Sequence, residues 1–149
     1  IEEADLIILG PGSLFTSIVP NLLVREIATA VASARALKMY ICNVAEEPGE
    51  TLGYSVLEHL DVVHHYLGQG AIDLVIANSN LLQERRPSSP QLVDAPVGGK
   101  EPPLYVLADV IDETTPSRHD ATKLAAVIAE TYRKHRGARR RLPPVWRGL

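Results

Sequence analysis

Short apolar runs alternate with stretches of helical spacing along this chain, and that alternation is the strongest limit on its fold. Four apolar runs are predicted strands: residues 5–9, 38–44, 73–77 and 104–108. Three stretches carry apolar side chains at helical spacing: residues 20–34, 53–67 and 120–135. Strands that alternate with helices form parallel crossover units. The chain is therefore predicted to be an α/β protein, a Rossmann-like three-layer sandwich with a mostly parallel sheet.

Particular residues set the predicted helix boundaries. Pro20 suits the first position of a helix, where its missing N–H needs no partner, and Leu23 and Ile27 continue at helical spacing. Gly68 is typical of a helix C-terminus, and Asp120 is a candidate N-cap for the last helix. One face of the second helix is expected to be buried: Val56, Leu60, Val63 and Leu67.

Two segments depart from this pattern. Residues 83–103 contain five prolines and are predicted to form an exposed, partly mobile excursion, with a short strand near 91–94. Residues 133–149 carry seven Lys and Arg and no acid, although the whole chain has a net charge of −3. We predict one domain over residues 1–136 and a basic tail over 137–149. Nucleic-acid binding by the basic segment is the weaker interpretation, because Trp146 is its only aromatic residue.

The composition excludes several protein classes. Hydrophobic residues make up 46% and charged residues 22%, which is typical of a globular domain. No apolar run approaches the roughly 18 residues of a membrane span, and we expect no signal peptide. The single cysteine, Cys42, cannot form an internal disulfide, which fits a reducing cytosol, and its apolar run predicts a core position. The chain begins at Ile1 inside an apparent element, so we expect the natural protein to extend further toward its N-terminus.

The loop after the first predicted strand is the first candidate binding site, because ligands of open parallel sheets bind beyond the carboxyl ends of the strands. Its sequence from residue 10 to 17 is Gly-Pro-Gly-Ser-Leu-Phe-Thr-Ser. Small residues allow close approach to a ligand, and hydroxyls near a helix start can hold a phosphate. The candidates are Gly10, Gly12, Ser13, Thr16 and Ser17. The loop is neither a Walker loop nor a dinucleotide fingerprint, so a tight turn with Ser/Thr caps stays open as the alternative.

Two further candidates lie at later strand ends. Asn43 ends the second predicted strand, and Arg118 precedes the last helix, where a guanidinium could pair with a phosphate. Three carboxylates of the intervening loop could coordinate magnesium in principle, although solvation alone also accounts for them: Glu46, Glu47 and Glu50. No histidine pair has metal-ligand spacing, so no metal site is assigned. No catalytic residue or catalytic triad is assigned either.

Together these motifs resemble a known family. Residues 4–24, with the Gly10–Ser17 loop, are similar to the second half of the YvcK-type gluconeogenesis factors of the CofD-like superfamily. The resemblance continues through Asn43, residues 48–54 and 73–78, and Arg118-His119-Asp120, and covers about residues 4–130. In the CofD branch proper, which transfers phospholactate to a deazaflavin precursor, the first loop usually has Asn-Pro after the serine. This chain lacks that dipeptide there.

The resemblance implies a function that composition and spacing do not. It implies a cytoplasmic bacterial protein that binds UDP-activated amino sugars such as UDP-N-acetylglucosamine. It also implies links to gluconeogenic growth, cell shape and peptidoglycan precursor supply, with an unknown protein partner and often a homodimer. The implied ligand-binding residues are Gly10, Gly12, Ser13, Thr16, Ser17, Asn43 and Arg118. The family also uses an N-terminal glycine-rich loop, which this sequence does not contain.

Whether the protein is an enzyme stays open at this point. The first hypothesis is a binding protein that senses UDP-sugar without turnover. The alternative is a CofD-like phosphoryl-type transferase that uses magnesium and an acid such as Glu50 or Asp109.

Overall fold

The computed structural model describes residues 1–80, 91–95 and 103–136, and within them a single parallel sheet forms the centre of the fold. Its strands are β1 (Leu6–Leu9), β2 (Leu37–Ile41), β3 (Leu74–Asn78) and β4 (Leu104–Ala108). Its α-helices are α1 (Val19–Leu22), α2 (Arg25–Ser33), α3 (Val56–Leu67) and α4 (Ala121–His135). All four predicted strands are confirmed: β4 has the predicted boundaries, and those of the other three shift by at most three residues.

The order of the strands in the sheet is the order in which they occur along the chain, β1-β2-β3-β4. Each pair is parallel: Leu6 lies opposite Leu37, Met39 opposite Leu74, and Leu74 opposite Leu104. The four carboxyl ends consequently share one edge of the sheet. The loops that follow β1, β2, β3 and β4 all start from that edge.

Helices cover both faces of the sheet, which confirms the predicted three-layer α/β arrangement. On one face, α1, α2 and α3 pack on a core that includes Tyr40. On the other face, α4 packs on a core that includes Met39 and Ile41. Successive side chains of β2 thus point to opposite faces, and both faces exclude water. Such double burial explains why β2 and β3 are largely apolar without alternation, with one polar residue in each, Lys38 and Asn78, that is itself buried.

The first helical region differs from the prediction of one helix opening at Pro20. A π-helical turn, Leu14–Ile18, continues directly into α1, and α2 is a separate helix. The continuous helical segment Leu14–Leu22 and α2 meet at an angle of 83°. The bend brings Leu22 and Val31 into the same core, whereas Leu23, expected to face the core, is 64% exposed.

The helix starts earlier than predicted because Ser13 caps it. The Ser13 side chain accepts a hydrogen bond from the backbone N–H of Thr16. Pro20 therefore lies at the second position of α1 rather than at the first position of the whole helical region.

The two later helices follow the prediction closely. The buried face of α3 contains all four predicted residues, and Gly68 ends the helix at φ +89°. Its start is at Val56 rather than near residue 53, because Ser55 and Glu58 form a reciprocal capping box. Asp120 caps α4 by accepting the backbone N–H of Lys123 at 2.8 Å, as predicted.

Part of the proline-rich excursion belongs to the core rather than to the surface. Leu92 and Val93 are buried, and Leu92 forms an isolated antiparallel bridge with Ala45 where a short strand was predicted. The backbone N–H of Val56 also donates to the carbonyl of Asp94 at 2.9 Å. The remaining predictions for residues 83–90 and 96–102, and that of a basic tail over 137–149, lie outside the described residues.

In the part of the chain that the structure describes, no single helix is both long and apolar enough to cross a membrane. The bent pair Leu14–Leu22 and Arg25–Ser33 reaches the required length and composition only when its two helices are counted together.

Candidate functional site

The loops after β1 and β2 meet through a chain of hydroxyl groups and a carboxylate. The hydroxyl of Ser13 donates to Oε2 of Glu50 at 2.5 Å, and the hydroxyl of Thr16 donates to Oγ of Ser13 at 2.6 Å. A hydrogen bond to an ionised carboxylate is shorter and stronger than one between neutral groups. The structure therefore joins Ser13 and Thr16, predicted as phosphate donors, to a residue that sequence reasoning had considered only for magnesium or acid chemistry.

This chain of hydrogen bonds changes what the first loop offers a ligand. The hydroxyl protons of Ser13 and Thr16 are both directed to acceptors within the protein. Ser17 is exposed, and the described residues provide no hydrogen-bond partner for its hydroxyl. A phosphate at this loop would thus meet the hydroxyl of Ser17 and backbone N–H groups, while the Glu50 carboxylate would repel it.

The two glycines of the first loop are required by contacts within the protein. Gly10 has φ +95°, and a Cβ there would lie 2.9 Å from the carbonyl oxygen of Ile41 in β2. A Cβ on Gly12 would lie 3.2 Å from Cβ of Ser17. Both glycines therefore allow the loop to pack closely, the first against the end of β2 and the second against the helix start.

Arg118 lies near the end of β2 because the ring of the next residue, His119, forms a hydrogen bond there. The ring Nε2 of His119 is 3.2 Å from the carbonyl oxygen of Cys42, to which the neutral ring donates from that nitrogen. Asn43 follows directly and is half-buried. The guanidinium of Arg118 is exposed, and the described residues supply no ion pair to it. The structure thus brings Arg118 and Asn43, two predicted ligand-binding residues, to one strand end.

Burial lowers the pKa of His119, so its ring is neutral near pH 7. The backbone around it is also fixed, since the N–H of Asp112 donates to the Arg118 carbonyl and the N–H of Asp120 to the Val110 carbonyl, each at 2.9 Å. The loop that carries Arg118 is thus held at both its ends.

The ends of β3 and β4 form a second hydrogen-bonded group at the same edge. Oδ1 of Asn78 accepts the backbone N–H groups of Asn80, at 3.2 Å, and Val110, at 3.4 Å. Lys123 pairs with Asp109 at 3.0 Å. Partial burial alone would raise the pKa of Asp109, but hydrogen bonds from Lys123 and Asn80 outweigh it and lower the pKa. Asp109 is thus an ionised, paired group and a poor candidate for a general acid.

The three carboxylates considered for magnesium take different partners. Oε2 of Glu46 accepts the backbone N–H of Gly53 at 2.8 Å, and Glu50 accepts from Ser13. Oε2 of Glu47 is buried, without a hydrogen bond. Among the described residues, no group of three or more His, Cys, Asp or Glu side chains could hold a metal ion.

Cys42 is a core residue, as predicted. Its side chain is fully buried, and burial raises the pKa of its thiol to about 12. Such a thiol is protonated at neutral pH and is inert as a nucleophile. His64 is buried and His65 exposed, as expected for neighbours on opposite sides of α3.

Sequence reasoning missed an aromatic pair on the two chain segments that meet at the Ser13–Glu50 contact. The rings of Phe15 and Tyr54 lie edge to face, with centroids 6.3 Å apart and an interplanar angle of 77°. Phe15 is the only phenylalanine of the chain, and its side chain is 37% exposed. A large apolar side chain in a loop of small polar residues was the available signal.

Comparisons with known proteins show which family the chain resembles. The model of the family described as 2-phospho-L-lactate transferase CofD matches residues 1–101. The chain is 39% identical over 142 residues to the gluconeogenesis factor of Bacillus subtilis, covering 90% of this chain and 45% of that protein. It is 44% identical over 79 residues to the gluconeogenesis factor of Listeria innocua, covering 53% of this chain and 24% of that protein.

A solved structure supports the same assignment. The crystal structure of a UPF0052 family member from Bacillus halodurans matches with a TM-score of 0.67 and 32% identity, over 85% of this chain and 43% of that one. The chain spans less than half the length of these relatives and covers their C-terminal part. Because the family model matches more than half of the residues, the chain belongs to the CofD family and is similar to the C-terminal part of the gluconeogenesis factors.

Proposed function

We propose that this chain is part of a cytoplasmic regulatory protein that binds a UDP-sugar, with UDP-N-acetylglucosamine as the model ligand. In this proposal the protein links growth on gluconeogenic carbon to cell shape and peptidoglycan precursor supply through a protein partner. The observation that carries the proposal is the position of exposed Arg118 next to His119, whose contact with Cys42 brings this loop to the strand end that Asn43 follows. An exposed arginine at the carboxyl edge of a parallel sheet suits a diphosphate.

The alternative is a magnesium-dependent transferase, and the match to the CofD family model favours it. The two acids considered for this chemistry are both engaged within the protein. Asp109 pairs with Lys123, and Oε2 of Glu50 accepts a hydrogen bond from Ser13. The ion pair argues against Asp109 as a catalytic acid, so we favour the regulator over the transferase.

Binding by the full chain tests the proposal directly. Isothermal titration with UDP-N-acetylglucosamine, UDP and GTP, each with and without magnesium, should show selective binding of the UDP-sugar. A ligand present at 100 times its dissociation constant adds about 2.7 kcal/mol of stability, so a thermal shift provides an independent readout. Tighter binding of GTP with magnesium, followed by turnover, would establish the transferase instead.

Arg118→Ala is expected to weaken UDP-sugar binding by about 10- to 100-fold, because a charge-assisted hydrogen-bonding group contributes about 1.5–3 kcal/mol. The melting temperature should stay close to that of the parent, since the side chain is exposed. Arg35→Ala is the matched control: Arg35 is equally exposed but precedes β2, at the opposite edge of the sheet. Equal affinities of the two variants would contradict a role for Arg118 in binding.

A further inference from the structure

We infer that Glu50, Ser13, Phe15 and Tyr54 form a subsite for a sugar ring of the ligand. In this subsite the carboxylate of Glu50 accepts the ring hydroxyls, and the aromatic pair contacts the apolar C–H face of the ring. The inference rests on the proposed function and deepens it, since it assigns the loop after β1 to a sugar rather than to a phosphate.

The hydrogen bonds that the Glu50 carboxylate makes within the protein favour a ligand that donates hydroxyl groups. One carboxylate oxygen, Oε2, accepts the Ser13 hydroxyl, whose own oxygen is occupied by Thr16. The described residues place no donor on the other oxygen, Oε1, and the side chain is partly exposed. An ionised carboxylate has lone pairs for about four hydrogen bonds and no proton to give. It therefore attracts sugar hydroxyls and repels the oxygens of a phosphate.

The aromatic pair supplies the second half of a sugar site. Phe15 follows Ser13 by two residues, and Tyr54 follows Glu50 by four, so each loop contributes one polar and one aromatic side chain. The Tyr54 ring also lies edge to face with the ring of His59, with ring centroids 5.7 Å apart and an angle of 88°. Phe15, its other ring neighbour, is partly exposed and can contact a ligand. A sugar ring, with an apolar face and a rim of hydroxyls, matches an aromatic ring beside a carboxylate.

The position of this subsite relative to Arg118 suits a nucleotide sugar. Gly10, at the start of the first loop, packs against the carbonyl of Ile41, and His119 contacts the carbonyl of the next residue, Cys42. The loop that leads to Ser13 and the loop that carries Arg118 therefore contact consecutive residues at the end of β2. If a diphosphate binds Arg118, the attached sugar would lie toward the loop that follows β1.

Glu50→Gln in the full chain tests the subsite, because glutamine keeps an oxygen for Ser13 and removes the charge. We expect UDP-N-acetylglucosamine to bind about 10-fold more weakly to this variant, since the charged acceptor is lost. Phe15→Leu should weaken binding about 3- to 10-fold, through loss of part of the aromatic contact. The matched control is Glu130→Gln, an exposed carboxylate on α4 whose removal should leave affinity within about two-fold.

UDP is titrated beside UDP-N-acetylglucosamine to identify the ring. A loss confined to the UDP-sugar supports the hexose in the subsite, and a loss for both ligands supports the ribose. Tighter binding by Glu50→Gln would overturn the inference, because removal of negative charge helps a phosphate. Unchanged affinity in both variants, with Arg118→Ala still weakened, would overturn the subsite but not the proposed function. Absence of binding by the parent protein would overturn both.

Discussion

Gly10→Ala is expected to lower the free energy of unfolding by about 3 kcal/mol, with a midpoint in urea well below that of the parent. Two costs combine. A non-glycine residue at φ +95° has an unfavourable backbone conformation, which costs about 1–2 kcal/mol. The new methyl group would also lie 2.9 Å from the carbonyl oxygen of Ile41, and such overpacking costs about 1–3 kcal/mol. Equilibrium urea unfolding followed by circular dichroism measures the change.

Gly53→Ala separates the two costs of the Gly10 variant. Gly53 also has a positive φ, +76°, but a Cβ there has no atom within 4 Å. Its replacement should cost only the conformational part, about 1–2 kcal/mol. If Gly10→Ala and Gly53→Ala lower the free energy of unfolding equally, the close approach of Gly10 to β2 contributes nothing to the effect of Gly10→Ala.

Acidification from pH 7.5 to 5.5 is expected to destabilise the fold through three histidines. Burial is the main cause that lowers the pKa of His59, His64 and His119 below the ordinary value of 6.5. Below that value the unfolded chain takes up protons that the folded chain does not, so stability is complete above about pH 6.5 and falls as the pH decreases. The slope is at most about 1.4 kcal/mol per pH unit for each histidine.

Urea unfolding at pH 7.5, 6.5 and 5.5 measures this dependence, and single variants assign it. His59→Phe should flatten the profile, because Nε2 of His59 is buried and has no hydrogen-bond partner when the ring is neutral. His65→Gln, which changes an exposed ring on the same helix, should leave the profile unchanged. Carboxylates with a lowered pKa, such as Asp112, also make the fold less stable on acidification, but only as the pH falls below about 4. A profile of His59→Phe as steep as that of the parent would exclude this origin.

The sequence predicted the sheet well because its signals are local. Apolar runs bounded by glycine, asparagine or aspartate gave all four strands, and the period of 3.6 residues gave the buried face of α3. The first helical region was mispredicted because Pro20 is the more conspicuous signal, whereas the Ser13 cap is formed by one side chain and one N–H. The 83° bend after Leu22 depends on packing against the sheet, which no local pattern reports.

The sequence predicted where the candidate site lies, but not which of its residues contact one another. The strand-end rule placed the first loop, Asn43 and Arg118 at one edge of the sheet, and the parallel pairing and the contact of His119 with Cys42 agree with that placement. The contact between Ser13 and Glu50 joins residues 37 apart in sequence, and that between His119 and Cys42 joins residues 77 apart. Such pairings follow from the tertiary fold alone.

The agreement between strand order and chain order has a consequence for how the protein forms. Each strand pairs with the next one along the chain, so every pairing in the sheet closes a loop of about 30–35 residues. The entropy cost of loop closure grows slowly with length and is nearly the same for all three pairings. The sheet can therefore grow by one strand at a time as the ribosome releases the chain. Among these three pairings we expect β1–β2 to form first, and the loops that follow the two strands to meet at Ser13 and Glu50 before α4 is synthesised.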